Sequence, residues 1–137
     1  MVYSIIKLAK LINNVIVCLD IMISRRNNRK LFVSINIYVI MYSMFLHAKA
    51  TALDVSSFDT SKVTNMSYMF KSAGKLNTIY ASDKFVIDNV TSSDNMFGDD
   101  SSLVGGAGTQ YNSSYVDKTY AIIDGGTSTP GYFTLKS

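Results

Sequence analysis

The chain has 137 residues, enough for one modest domain and a further segment. Its formal charge of +3 hides a division: residues 1–50 carry seven Lys and Arg against the single acid Asp20, whereas residues 51–137 carry six Lys against nine Asp. Nucleic-acid binding needs a basic patch on the folded module, so the acidic stretch from Thr51 onward argues against it, and the lone Cys18 rules out an intramolecular disulfide.

Residues 2–23 are apolar but interrupted by Lys7, Lys10, Asn13, Asn14 and Asp20. The basic cluster Arg25-Arg26-Asn27-Asn28-Arg29-Lys30 comes next, then the uncharged residues 31–46, then Ala48-Lys49-Ala50. A charged region, an apolar region and an A-x-A site in that order are the layout of a secretory signal peptide. Sixteen uncharged residues fall short of the roughly 20 that span a membrane as a helix. The pattern therefore predicts residues 22–50 as a signal peptide starting at Met22 and cleaved after Ala50, with Ala48 and Ala50 as the recognised small residues. Residues 1–21 would be an upstream extension without a role in the fold. Two other readings stand beside it: a pair of membrane helices flanking the Arg cluster, and a mistaken gene start. The apolar stretches predict helix in each case, and any membrane contact would come through residues 1–50.

From Thr51 the chain repeats itself. Met66-Ser67-Tyr68-Met69-Phe70 is matched 27 residues later by Ser93-Asp94-Asn95-Met96-Phe97, which also aligns Phe58 with Phe85, Val63 with Val90 and Thr64 with Thr91. Met41-Tyr42-Ser43-Met44-Phe45 lies 25 residues before Met66; inside the apolar run, and without the preceding residues of a repeat, it reads as coincidence or relic. Within one unit, Leu53 and Val55 alternate with polar neighbours as in a short half-buried strand. Asp59-Thr60-Ser61 makes a polar corner. Met66, Met69 and Phe70 share one face if Thr64 or Asn65 caps a single helical turn. No coil of this kind buries its apolar face alone; stacking on its neighbour does so, at roughly 1.5–3 kcal/mol per large side chain. The expected repeat core is Leu53, Val55, Phe58, Val63, Met66, Met69, Phe70, Ile79, Phe85, Val90, Met96 and Phe97.

The unit LDVSSFDTSKVTNMSYMF resembles the repeat of the BspA-like leucine-rich-repeat surface proteins. Leu103-Val104-Gly105-Gly106, Tyr111, Thr119-Tyr120-Ala121, Ile123-Asp124-Gly125-Gly126 and Pro130-Gly131-Tyr132-Phe133-Thr134 resemble the block that follows the last repeat in that family. The resemblance implies a short leucine-rich-repeat solenoid of short strands and single helical turns over residues 51–102, closed by a small β-rich C-terminal cap over residues 103–137. It implies an extracellular or cell-surface protein whose role is adhesion or protein binding, with an unidentified protein or host-surface ligand as partner. It brings no catalytic, cofactor-binding or metal residue. The second repeat departs from the pattern at Lys84-Phe85-Val86-Ile87, where a bulge is expected.

Residues 120–124 and 132–135 read as two strands of the cap, with turns at Asp124-Gly125-Gly126 and Pro130-Gly131. Gly105-Gly106-Ala107-Gly108 lacks the lysine of a phosphate-binding loop and reads as a turn. Without His or Cys after Thr51, a His-based triad, thiol catalysis and His or Cys metal ligation are excluded there. Asp94, Asp99 and Asp100 around Gly98 are weighed as calcium ligands against the plainer role of solvated turn residues. Asn65, Asn89 and Asn112 head glycosylation sequons, and Tyr68, Tyr80, Tyr111 and Tyr115 are candidate contact aromatics. The alternatives to a secreted binding protein are a small membrane-anchored protein with a repeat-like ectodomain and a C-terminal remnant of a longer surface protein.

Overall fold

The structure, a computed structural model, describes residues 2–12, 15–26 and 30–136. The chain divides into two compact units, Met1–Ile40 and Met41–Ser137.

The first unit is an antiparallel meander of β1 (Val2–Ile12), β2 (Val15–Arg26) and β3 (Lys30–Ile40). The register sets Lys7 opposite Asp20 and Cys18 between Ala9 and Tyr38. This corrects the helical N-terminal segment expected from the sequence. Runs such as Ile21-Met22-Ile23 and Ile35-Asn36-Ile37 are rich in β-branched residues, which fit a pleated strand better than a helix. No helix among the described residues is long and apolar enough to cross a membrane.

In the second unit β4 (Ala52–Asp54), β6 (Thr78–Ala81) and β7 (Phe133–Leu135) form a parallel sheet in that order, with Leu53 beside Ile79 and Ile79 beside Phe133. The short strand β5 (Val63–Asn65) leads to a parallel bridge between Asn65 and Ser92. The expected leucine-rich-repeat solenoid with single helical turns is also corrected. Among the described residues there is no α-helix, only short strands and the 3-10 turns Lys118–Tyr120 and Gly126–Ser128.

The backbone supplies the reason. Ser43, Tyr68 and Asn95 have φ of 54°, 58° and 47°, and His47, Ser72 and Asp99 have φ of 58°, 57° and 64°. These are equivalent positions in residues 41–47, 66–72 and 93–99. A left-handed residue inside the segment breaks any right-handed turn of helix, so each segment is a pair of linked tight turns instead. Met69 N–H still closes on the Met66 carbonyl, but Met66, Tyr68, Phe70 and Ser72 give their N–H groups sideways, to the carbonyls of Ser92, Asp94, Met96 and Gly98 at 2.7–2.9 Å. Residues 41–47 make the same ladder one step earlier, from Met41, Ser43, Phe45 and His47 to Asn65, Ser67, Met69 and Lys71 at 2.7–3.0 Å. The Met41 to Phe45 match is therefore a true copy of the repeat rather than coincidence or relic. Three rungs are stacked, and the compact unit begins at Met41.

The side chains follow the ladder. Phe45, Phe70 and Phe97 stack face to face with centroids 5.5 and 5.4 Å apart and planes 11° and 4° from parallel. Val55, Val63, Met66, Met69, Phe70, Ile79, Phe85, Val90, Met96 and Phe97 are buried, whereas Leu53 and Phe58 are half-buried. Phe133 and Tyr132 meet this column edge-on from the terminal block, Phe133 at 6.3 Å from Phe70 and 6.0 Å from Phe97, Tyr132 at 5.1 Å from Phe97; Phe133 also meets Phe85 edge-on at 4.8 Å. Where a bulge was expected at residues 84–87, buried Thr60 ties the coils together: its hydroxyl donates to the Val86 carbonyl at 2.7 Å and accepts from the Val86 N–H at 2.6 Å. Of the two cap strands expected, only the second forms; near the first, Ile123 makes one bridge to Phe133.

Candidate binding groove

The left-handed residues that build the ladder also shape its surface. All of them except Asn95, together with their neighbours, line an open cavity of about 380 Å³. Tyr42, Ser43, Leu46 and His47 come to it from the first rung, Tyr68, Lys71 and Ser72 from the second, and Asp99 from the third. Tyr42 and Tyr68 meet edge to face at 5.5 Å, and Lys71 Nζ sits 5.4 Å above the Tyr68 ring. Ser72 Oγ donates to Asp99 Oδ2 at 3.3 Å. Tyr42 is 51% exposed and Leu46 38%. A large aromatic residue in the left-handed region is strained by about 1–3 kcal/mol, and such strain collects at binding and switch regions. Tyr68 is that residue here. The groove thus offers two phenols, an ammonium, an imidazole and a carboxylate, a mix suited to holding a polar or peptide ligand rather than to bond-breaking chemistry.

The other candidate aromatics are elsewhere. Tyr80 is half-buried beneath Lys136, whose Nζ lies 5.0 Å from its ring and 3.2 Å from Asp54. Tyr111 is half-buried and its Oη accepts from the Asp99 N–H at 3.1 Å; Tyr115 stacks on Tyr120 at 4.7 Å. The three aspartates weighed for calcium separate into different roles. Asp94 is exposed, Asp99 faces the groove, and Asp100 is buried with Oδ1 accepting from the Ala73 N–H at 2.8 Å. Asp100 Oδ2 has no hydrogen-bond partner among the described residues. Burial raises the Asp100 carboxyl to about 7, an effect the Ala73 N–H opposes and neighbouring Asp99 reinforces. Among the described residues no group of three or more His, Cys, Asp and Glu side chains is arranged to hold a metal. The Ala48 and Ala50 positions lie just past the first rung, Ala48 giving its N–H to the Phe45 carbonyl at 3.0 Å.

Sequence reasoning passed over Asp124, the organising residue of the terminal block. Its Oδ2 accepts from the N–H groups of Ala107 and Thr109 at 2.8 and 3.0 Å. Its Oδ1 accepts from the Thr109 hydroxyl at 2.7 Å and the Gly126 N–H at 2.9 Å. Burial opposes the charge, but the hydroxyl and N–H donors of Thr109, Gly126 and Ala107 outweigh it and hold the carboxyl at about 2. The glycines around it leave the space this needs: a Cβ on Gly105 would stand 2.4 Å from Asp124 Oδ2 and 2.2 Å from the Gly131 carbonyl oxygen. The only sequence signal was Asp beside paired glycines.

A family model described as a Mycoplasma protein of unknown function, DUF285, matches residues 32–130. The chain belongs to this family. The DUF285 match covers all three rungs and most of the terminal block, and it starts within the stretch expected to be a signal peptide or anchor. No curated protein matches the chain. No solved structure matches it.

Proposed function

We propose that this DUF285 chain is a non-catalytic binding protein displayed outside the cell, where it holds a protein or another host-surface ligand. The groove that crosses the three rungs carries the reading: an aromatic pair, exposed at Tyr42 and half-buried at Tyr68, stands beside a cation and a carboxylate, and Tyr is among the residues that carry most of the binding energy at recognition surfaces. The resemblance of residues 53–134 to the BspA-like surface proteins supports the same location and the adhesive role. The acidic, Ser- and Thr-rich composition after Thr51 suits a soluble exposed surface.

Two measurements test it. Trypsin applied to intact cells expressing the full chain is expected to remove an epitope tag placed at its C-terminus; an epitope that survives until the cells are lysed would place the protein inside. Beads coated with the full chain should adhere to host epithelial cells. Replacing Tyr42, Tyr68 and Lys71 together by Ala should cut adhesion by about tenfold or more. Adhesion unchanged by that variant would move the binding surface away from the groove.

A further inference from the structure

The ladder has a direction. In the second rung the N–H groups of Met66, Tyr68, Phe70 and Ser72 point toward the third rung, while the carbonyls of Asn65, Ser67, Met69 and Lys71 point back toward the first. A strand of ordinary β-sheet offers both donors and acceptors along each edge; these rungs offer donors on one side and acceptors on the other. Two of the four donors on the last rung are taken by the terminal block, Phe97 N–H by the Val116 carbonyl at 3.0 Å and Asp99 N–H by Tyr111 Oη at 3.1 Å. The acceptor side of the first rung is different. Among the described residues no backbone N–H is given to the carbonyls of Tyr42, Met44 or Leu46, the positions equivalent to Ser67, Met69 and Lys71.

The side chains there are correspondingly uncovered. Met69 and Phe70, and Met96 and Phe97, are fully buried, but the equivalent Met44 and Phe45 are only half-buried. Tyr42 and Leu46, two of the large apolar residues exposed in the second unit, lie on this same rung.

We propose that the edge at residues 41–47 docks a donor rung from another polypeptide: a tight-turn segment presenting N–H groups at every second residue, with a Phe placed to join the Phe45, Phe70 and Phe97 column. The polarity selects this occupant over a second copy of the chain. Two first rungs brought together would set carbonyl against carbonyl, and on a second copy the Phe97 and Asp99 donors are already given to its own terminal block, whose Tyr132 also covers the Phe97 ring. Continuity with the two rung-to-rung steps within the chain fixes the spacing the partner must match.

The probe is a synthetic peptide with the sequence of residues 63–74, which contains the second rung. Titrated into isotope-labelled full chain, it should give saturable amide shifts centred on residues 41–48, with a dissociation constant of about 1 mM or tighter. N-methylation of the peptide at Tyr68 and Phe70 removes two of the cross-rung donors and should weaken binding at least about tenfold, as should Phe70→Ala in the peptide. The full chain alone should sediment as a monomer. Absence of saturable shifts, equal binding by the N-methylated peptide, or self-association of the full chain through residues 41–47 would each overturn the proposal.

Discussion

At the residue scale, two buried aspartates set opposite pH dependences. Asp124 is held at about 2 against an ordinary 3.8, so its contribution is complete above 3.8 and disappears as the pH falls toward about 2. Asp100 is raised from 3.8 to about 7, so the fold is favoured while it is protonated and loses stability as the pH rises from 3.8 through about 7. Urea midpoints of the wild-type chain should decline across that upper window, and Asp100→Asn, which keeps the acceptor for the Ala73 N–H, should flatten the decline. An equally steep decline in the variant would locate the titrating group elsewhere. Asp124→Asn cannot serve all its donors and should cost about 2–3 kcal/mol at neutral pH, read from the same melts. Gly131→Ala should be at least as damaging, because its Cβ would stand 2.4 Å from the Ile122 carbonyl oxygen.

At the scale of the element, the rung is governed by its left-handed positions. Asn95 tolerates φ of 47° better than most residues, since Asn can bond locally in that region. Asn95→Val should therefore lower stability by about 1–2 kcal/mol, whereas Asn95→Gly should change it little; equal losses in the two variants would remove backbone conformation as the cause. Phe70→Ala, at the centre of the ring column, should cost about 3–5 kcal/mol in a denaturant melt. The repetition itself was legible, because Val63 and Val90, Met69 and Met96, and Phe70 and Phe97 recur at one spacing. The turn geometry was not. Met66, Met69 and Phe70 share a face in a helical turn and in these linked tight turns alike, and Ser43, Tyr68 and Ser72 at positive φ carry no residue-type signal that glycine would have given. The same ambiguity affected residues 2–40, where apolar runs fit helix or strand until β-branched content decides. The groove lay hidden because its lining comes from three rungs, and most of the first, residues 41–47, falls within the uncharged run that has the layout of a signal sequence. Asp124 lay hidden because its donors at residues 107, 109 and 126 are far apart in sequence.

For the whole molecule, the first rung bears on where any processing can occur. Cleavage after Ala50 would remove Phe45 from the column and four cross-rung N–H donors from the second rung's carbonyls. A chain beginning at Thr51 should therefore unfold at lower urea concentration than the full chain, with the Met69 and Phe70 face uncovered. N-terminal sequencing of the protein isolated from cells is expected to find a start before Met41; a start at Thr51 with undiminished stability would show the rung to be dispensable.

The one-way ladder has an electrical consequence as well. Peptide units that point the same way add their dipoles, each about 3.5 D, as they do along a helix and as they do not across an ordinary sheet. The pile of tight turns is thus an electret, with its negative pole at Tyr42, Met44 and Leu46 and its positive pole under residues 93–99. Lys49 follows the rung at the negative pole, and Asp94 and Asp99 lie on the rung at the positive one.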